Sequence, residues 1–470
     1  MNNRPQLQKA VRQFLSCCIL VLSGLTLRAE EGVIVVRPAE EVGPIRPLNG
    51  ANNGPSAHNT FWFKAAHISY MRTHDTPFDP LSYGRFTFDI RSIFRDFSAD
   101  ENDPASYDFF SSDKVLKRSR ACGAEILYRL GQAIEAAENK YYIFPPEDYL
   151  KWARICEHII SHYNEGWANG YHWNIRYWEI WNEPDLDRND RWKTNPRCWG
   201  GPAEEFYRFY NLTSKYLKNR FPNLMIGGPG LSNPINGEWM NGFLASVAAG
   251  KAPLDFFSWH IYAPTPETVL ERSRTVDEAL AKYGFKDTES VLDEWNYVHQ
   301  WTETSQENVR VRNSIKGAAY AAATMAACQN ETPIKFMTCY DFRPDSRYNI
   351  AFDYADRRPL IGYYPFYAWG KLLECGTQVR VESDTPEIYV VAAKAPSGRL
   401  RILVCRYTDD NNVIYAKKIR VRVDGIVPEE VRAWLADSRF FYSDYPMPVA
   451  KDGSVEIPLE PRSFVMIEID

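Results

Sequence analysis

The sequence predicts an α/β chain, a parallel (β/α)8 TIM barrel followed by a C-terminal antiparallel β-sandwich. Three observations carry this expectation. From about Pro44 to Lys371, short apolar runs alternate with longer amphipathic ones. Eight short runs can be counted, the number a closed barrel needs. Beyond Gly376 the pattern becomes a two-residue alternation broken by turn residues, with no helical period between the runs.

The candidate strands begin with "GPIRPLNGAN", "AAHISYMRTHD" (65–75), "GAEILYRLGQ" (123–132) and "IRYWEIWNEP" (175–184). They continue with "NLMIGGPGLS" (223–232), "DFFSWHIYAP" (255–264), "ESVLDEWN" (289–296) and "IKFMTCYDFRP" (334–344). Helical periods fall between them. "SSDKVLKRSRACG" opens with Ser and Asp in a capping position, and "PPEDYLKWARICEHIISHYN" opens with Pro and acids. "AEEFYRFYNLTSKYLKNRF", "PETVLERSRTVDEALAKYG" and "NVRVRNSIKGAAYAAATMAACQ" share the 3.6-residue rhythm. An open doubly wound sheet would carry a glycine-rich phosphate loop after an early strand, and none is present. "GGPG" (227–230) lacks the Lys-Ser/Thr of a phosphate cradle and reads as a tight passage from strand to loop. After Gly376, "EIYVVAAKAP", "RLRILVCRYT", "AKKIRVRVDG", "SVEIPLEP" and "SFVMIEID" read as sandwich strands, to which "EGVIVVRPA" ahead of the barrel adds a candidate. The expected division is residues 1–29 as a signal peptide, 30–375 as the barrel and 376–470 as the sandwich.

The first segment has a basic stretch, an apolar run from Phe14 to Leu27, then Ala29 and two acids. That is the layout of a secretory signal, short for a membrane span, with a retained anchor as the alternative reading, so a secreted or periplasmic location, without a stable span once the signal is removed, is expected. Formal charge is −5, and removing residues 1–29 takes away Arg4, Lys9, Arg12 and Arg28 and no acids, leaving −9. An acidic chain without a basic run is a poor polyphosphate binder, so nucleic acid is not an expected partner. The seven cysteines that remain are scattered and never form C-x-x-C, which fits neither a disulfide scaffold nor a zinc site. No His/Cys/Asp cluster has metal spacing, so neither metal nor cofactor is expected.

A barrel enzyme collects its chemistry where strands end. Candidate strand ends offer His74 and Asp75, Glu183, His260 and Tyr262, Glu294, and more weakly Asp341 and Arg343. "EIWNEP" and "VLDEWN" share one form, an apolar strand ending in Glu beside Trp and Asn. Two carboxylates flanking a sugar are the minimum equipment for glycoside cleavage, one protonated to serve the leaving oxygen and one ionised to face the developing oxocarbenium ion. Glu183 and Glu294 meet only if the fourth and seventh strands face each other across the mouth. Arg72, His74 and Asp75 fit either a sugar contact or an ion pair tying the barrel together. Trp295 either floors the pocket or packs against the next helix.

With "WNEP" after strand four and "DEW" after strand seven, the chain resembles the large glycosidase clan built on (β/α)8 barrels. Within that clan it is similar to glycoside hydrolase family 39, the β-xylosidases and α-L-iduronidases. "YDFFSSDKVLKRSRACGAEILYRLG", "PLDFFSWHIYA" and the terminal sandwich extend the likeness over most of the barrel. The resemblance implies an oligo- or polysaccharide substrate, exo-action, Glu183 as general acid/base and Glu294 as nucleophile. It further implies Asn182 on the sugar 2-hydroxyl, His260 and Tyr262 beside Glu294, and Tyr262 holding that carboxylate in its attacking orientation. Retention of configuration is implied too, with carboxyl groups about 5 Å apart. The two remaining function classes are a glycan-binding barrel that has lost catalysis and an esterase. For the latter no G-x-S-x-G elbow is visible.

Overall fold

The computed structural model describes residues 31–78, 85–235, 237–301 and 306–470; the expected signal peptide lies outside the described residues. Eight strands close a parallel barrel: β2 (Gly50–Asn52), β3 (Tyr70–Arg72), β4 (Glu125–Leu130), β5 (Tyr177–Ile180), β6 (Met225–Leu231), β7 (Phe256–Ala263), β8 (Glu289–Tyr297) and β9 (Met337–Cys339). Each expected run contributes one of them. Helices cover the outside and side chains fill the lumen, so all four residues of β5 are buried. Parallel strands read as continuous apolar runs for this reason.

Helix starts follow local chemistry. Asp148 accepts hydrogen bonds from the amides of Leu150 and Lys151 ahead of Tyr149–Asn164, and Thr265 with Pro266 opens Pro266–Lys282. The Ser and Asp of "SSDKV" do not cap: Phe110–Ala121 starts one residue earlier, and the Phe110 amide is met by Asp108 Oδ1 at 3.2 Å. The last long period splits into Gln306–Arg312 and Ile315–Glu331, the second capped by Ser314. From Lys316 to Gln329 every residue of that helix is buried. Its alanines let it lie close between the barrel and the second sheet, and a helix apolar on all sides belongs in such a place.

The second unit is one curled sheet of nine strands, ordered β15-β14-β17-β12-β11-β10-β1-β13-β16. Here β1 is Glu31–Pro44, β10 Thr377–Glu382, β11 Ile388–Lys394, β12 Leu400–Tyr407, β13 Lys417–Val423, β14 Arg432–Ala436, β15 Phe441–Asp444, β16 Val455–Leu459 and β17 Arg462–Ile469. The sheet is antiparallel, as expected, at every seam but one. β1 runs antiparallel to β10 but parallel to β13, with Ile34 opposite Val421. The reason is connectivity: β1 arrives from the other end of the chain, so no hairpin dictates its direction. Strand β12 shows how the units join. Leu400, Ile402 and Val404 enter the sheet's own core, whereas Leu403, Cys405 and Tyr407 join the barrel's core. Where β1 ends, the Ile45 amide meets the Gly376 carbonyl at 2.8 Å, fastening the start of the barrel to its end.

Ile34 and Val36 are fully buried in the sheet's core. Replacing both with Ala is expected to cost about 3–7 kcal/mol in total, through lost burial and unfilled cavity together. A lower urea midpoint at unchanged slope would be the readout, and an unchanged midpoint would show that β1 is dispensable.

Candidate active site

The centre of the site is a cation. Arg72, at the end of β3, is wholly buried, and its guanidinium lies 2.8 Å from Glu179, 2.8 Å from Asp293 and 3.1 Å from Glu294. It also donates to Asn182 Oδ1 at 2.8 Å and to Asn52 Oδ1 at 3.2 Å. The ion-pair alternative for Arg72 is therefore what the structure shows, and the pair includes Glu294.

Two backbone irregularities aim the carboxylates at the mouth. Trp181 (φ 77°) and Glu183 (φ 49°) sit in the left-handed region, and Pro184 begins a 3-10 turn at once. Bulky residues adopt that conformation only where the surroundings impose it. The Glu183 amide is held by the Gly230 carbonyl at 2.9 Å and the Trp181 indole by the Cys198 carbonyl at 2.9 Å. Gly230 itself needs to be glycine. Its φ is +63°, and a Cβ there would lie 3.1 Å from Glu179 Oε1 and 3.3 Å from Arg72 and His260. On β8 the pairing shifts between Trp259/Leu292 and His260/Glu294, leaving Asp293 as an extra residue. A bulge breaks strict alternation. Asp293 and Glu294 both turn inward, the former onto Arg72 and the latter into the cavity.

Glu183 and Glu294 are 6% and 5% exposed, and an oxygen of each and a His260 ring nitrogen all lie within 4.8 Å of one another. His260 Nδ1 meets Glu183 Oε1 at 2.9 Å and Glu294 Oε2 at 3.7 Å, while the Tyr262 hydroxyl donates to Glu294 Oε1. His260 thus sits nearer Glu183 than Glu294. Burial alone would lower the pKa of the His260 imidazolium, but Glu294 and Asp293 raise it well above the usual range, so the ring is charged at neutral pH. Burial also pushes Asp293 up, and Arg72 and His260 outweigh it, holding Asp293 below the ordinary carboxylate range. Glu179 goes the other way. Burial lifts it to about 8 against the pull of Arg72, with Asp293 adding to the rise. Glu294 is raised to about 7 by burial, with Glu183 pushing it up and His260, Arg72 and the Tyr262 hydrogen bond pulling it down.

The Asn182 Oδ1 is taken by Arg72, and its buried Nδ2 has no hydrogen-bond partner among the described residues, leaving a donor at the site. His74 Nε2 lies 3.7 Å from Glu294 Oε2, and burial pushes that ring well below the usual range, so it is neutral. Asp75 is engaged by Asn53 (2.9 Å), Tyr340 (2.7 Å) and Arg343 (3.2 Å), and Arg343 also pairs with Asp341. Both His74 and Asp75 line a cavity of about 620 Å³ together with Glu183, Glu294, Tyr262, Tyr340 and Tyr348.

Trp295 does not line this cavity. The expectation that it contacts substrate is corrected: it is 1% exposed and packs 6.2 Å from Tyr320 and 6.2 Å from Phe366, because the bulge spends the inward position on Glu294. Trp178 and Trp181 are core residues too, the first stacked on Tyr128 and the second edge-on to Trp199. Glu179, Asp293 and Ser258, which donates to Glu179 at 2.6 Å, were not singled out from sequence. Their signal was there, since an acid inside an apolar strand ("WEIW", "VLDEW") must have a buried partner. The absence of metal spacing in the sequence also gave no sign that the fold gathers Glu183, His260 and Glu294 as three donor groups. Here one of the three is a charged imidazolium already committed to the carboxylates.

Residues 58–341 match the family model of glycosyl hydrolases family 39. A β-xylosidase of Geobacillus stearothermophilus is 25% identical over 272 residues, covering 52% of this chain and 50% of that protein. A β-xylosidase of Caldicellulosiruptor saccharolyticus is 27% identical over 191 residues, covering 38% and 35%. The match thus spans half or less of these relatives' length. Among solved structures, a glucosidase from Croceicoccus marinus superposes with a TM-score of 0.77 at 22% identity, covering 94% of this chain and 99% of that one. A monomeric β-xylosidase from Caulobacter crescentus CB15 gives 0.69 at 16% identity, covering 93% and 99%. These likenesses show the fold. With the family model matching well over half of the sequence, the chain belongs to glycosyl hydrolases family 39.

Proposed function

We propose that the protein is a retaining glycoside hydrolase, xylosidase-like and acting from the end of a glycan in a secreted or periplasmic setting. One observation carries the reading: an oxygen of Glu183 and an oxygen of Glu294 lie within 4.8 Å of each other at a shared cavity. Carboxyl groups about 5–5.5 Å apart suit a covalent intermediate, whereas inverting pairs stand further apart to admit a water. The two β-xylosidase relatives support the sugar class, and Asn182 Nδ2 is a free donor suited to a sugar hydroxyl.

The roles follow from the partners. Glu294 receives Arg72 on Oε2 and Tyr262 on Oε1, donors that favour its anion and fix its orientation, so it is the nucleophile. Glu183 supplies the proton. In the first step a Glu294 oxygen bonds to the anomeric carbon, the glycosidic C–O bond breaks, and the Glu183 proton goes to the leaving oxygen. In the second, Glu183 takes a proton from water, the water oxygen bonds to the anomeric carbon, and Glu294 leaves.

Glu294→Ala is expected to abolish turnover, with azide restoring it and giving a glycosyl azide of inverted configuration. No rescue, or an azide of retained configuration, would reject the nucleophile assignment. Glu183→Ala is expected to lose about 10²–10⁴-fold on substrates with poor leaving groups and far less on activated aryl glycosides. Equal losses on both would count against an acid role, and an inactive wild-type chain that still binds glycans would point to a binding barrel.

The pH sign follows from Glu294. A raised carboxylate takes up its proton as pH falls through about 7, and the protonated acid cannot attack, so kcat/KM on an activated glycoside is expected to fall below about pH 7. Because Glu183 is one cause of that rise, Glu183→Gln should move this limb to lower pH. A limb that stays in place would show that Glu183 is not among the causes of the Glu294 rise. Arg72→Met is expected to remove activity and to cost about 3–5 kcal/mol of stability, since it leaves buried carboxylates uncompensated. Near wild-type melting would show that Arg72 is not central to the fold.

A further inference from the structure

The catalytic cavity is lined on one side by three half-buried arginines that the mechanism does not use: Arg188, Arg197 and Arg272. Arg188 follows the turn that carries Glu183, Arg197 lies in the segment after it, and Arg272 comes from the helix after β7. Arg72 and Arg343, beside the cavity, have carboxylate partners, whereas Arg312 lies over the Tyr348 ring and donates to the Tyr297 and Arg347 carbonyls. Arg188, Arg197 and Arg272 form no ion pair among the described residues. Arg188 reaches only the Asp185 carbonyl, at 3.4 Å, and Arg272 only the Asn233 amide oxygen, at 2.9 Å. Arg197 Nε is buried without a hydrogen-bond partner among the described residues. Asp185 accepts from Ser232 and Asn233, and Asp187 Oδ2 accepts from the amides of Arg197, Cys198 and Trp199. Among the described residues, Asp187 Oδ1 is buried without a hydrogen bond and lies 4.0 Å from Arg191, not in an ion pair with any of the three.

A cation drawn out of water without a counter-charge is costly, and burial accordingly lowers the pKa of Arg272. Three such groups around one cavity make a site in want of an oxyanion. Guanidinium is suited to that task because its planar donors match carboxylate and sulfate in pairs. We propose that Arg188, Arg197 and Arg272 form a subsite for an oxyanion on the glycan, a uronate carboxylate or a sulfate ester, beside the bond that is cut. This rests on the glycosidase reading only for the position of that bond. The preference for an acidic glycan stands on the cavity itself.

The test is calorimetric titration of the full-length protein with a uronate-bearing xylo-oligosaccharide, its sulfated counterpart and the neutral oligosaccharide of the same length, at low and at high salt. The acidic ligand is expected to bind about 10–100-fold more tightly than the neutral one, an advantage that salt erodes. The carboxylate and sulfate arms tell which oxyanion the subsite takes. Arg197→Gln and Arg272→Gln should each bring the acidic-to-neutral ratio toward one, so that the ratio and not the absolute affinity reports the subsite. Equal affinity for acidic and neutral ligands in the wild type, or an unchanged ratio in both variants, would overturn the proposal. Acid-selective binding with no turnover of any glycoside would reject the glycosidase reading and leave this subsite standing, whereas turnover of neutral glycosides with no acid preference would do the reverse.

Discussion

One buried guanidinium decides what this barrel can contain. Glu179, Asp293 and Glu294 all lie within about 3 Å of Arg72, and all are nearly sealed from water. Taking a carboxylate into such a place costs several kcal/mol, and a unit charge about 4 Å away returns about 4 kcal/mol at an effective dielectric near 20. A single pairing therefore barely breaks even. One cation shared by Asp293 and Glu294, and hydrogen-bonded to Glu179, does better, because its own desolvation is suffered once. His260 adds a second positive charge on the far side of Asp293. With Glu179 protonated near neutral pH, Arg72 and His260 are balanced by Asp293 and one charge on the catalytic pair. The interior is close to neutral when Glu183 and Glu294 share one proton, which is the state that glycoside cleavage with retention begins from.

The same cation joins stability to geometry. Its five contacts come from strands β2, β5 and β8 and from the loop after β5, so Arg72 holds opposite walls of the barrel at one spacing. Backbone irregularities do the rest of the aiming: left-handed residues after β5, a bulge in β8, and a glycine on β6 that leaves room for the cluster. Regular strands would place Asp293 inside and Glu294 outside. The bulge is what allows adjacent acids to serve two purposes, one electrostatic and one chemical.

Much of this was legible in the amino-acid order. Eight apolar runs became eight barrel strands, and the endings "WNEP" and "DEWN" lay where the carboxylates meet. What escaped was non-local or sub-strand in scale. Trp295 was read with substrate as one option because alternation cannot reveal a one-residue bulge. Trp178 and Trp181, just ahead of Asn-Glu-Pro, are core, and composition does not say which face an aromatic residue takes. The parallel pairing of β1 with β13 joins segments nearly four hundred residues apart, beyond the reach of hairpin logic. Arg188, Arg197 and Arg272 are unremarkable as letters. Their meaning depends on which carboxylates the fold fails to bring near them.

On the proposed mechanism, the fixed charges also explain how one residue can serve both half-reactions. When Glu294 attacks, its negative charge is converted into an ester, and the repulsion it exerted on Glu183 disappears. Arg72 and His260 do not move or discharge, so their field is left with one fewer carboxylate to neutralise. His260, already 2.9 Å from Glu183, then faces an acid that has just given up its proton. An ionised Glu183 beside an imidazolium is a stable ion pair and a competent base toward water. Once water has opened the ester, Glu294 regains its charge, Arg72 and Tyr262 again stabilise it, and the proton is driven back to Glu183. The charge that the barrel must bury is therefore constant through the cycle. Only its location alternates between the two acids, and the preorganised cations need not rearrange at either step.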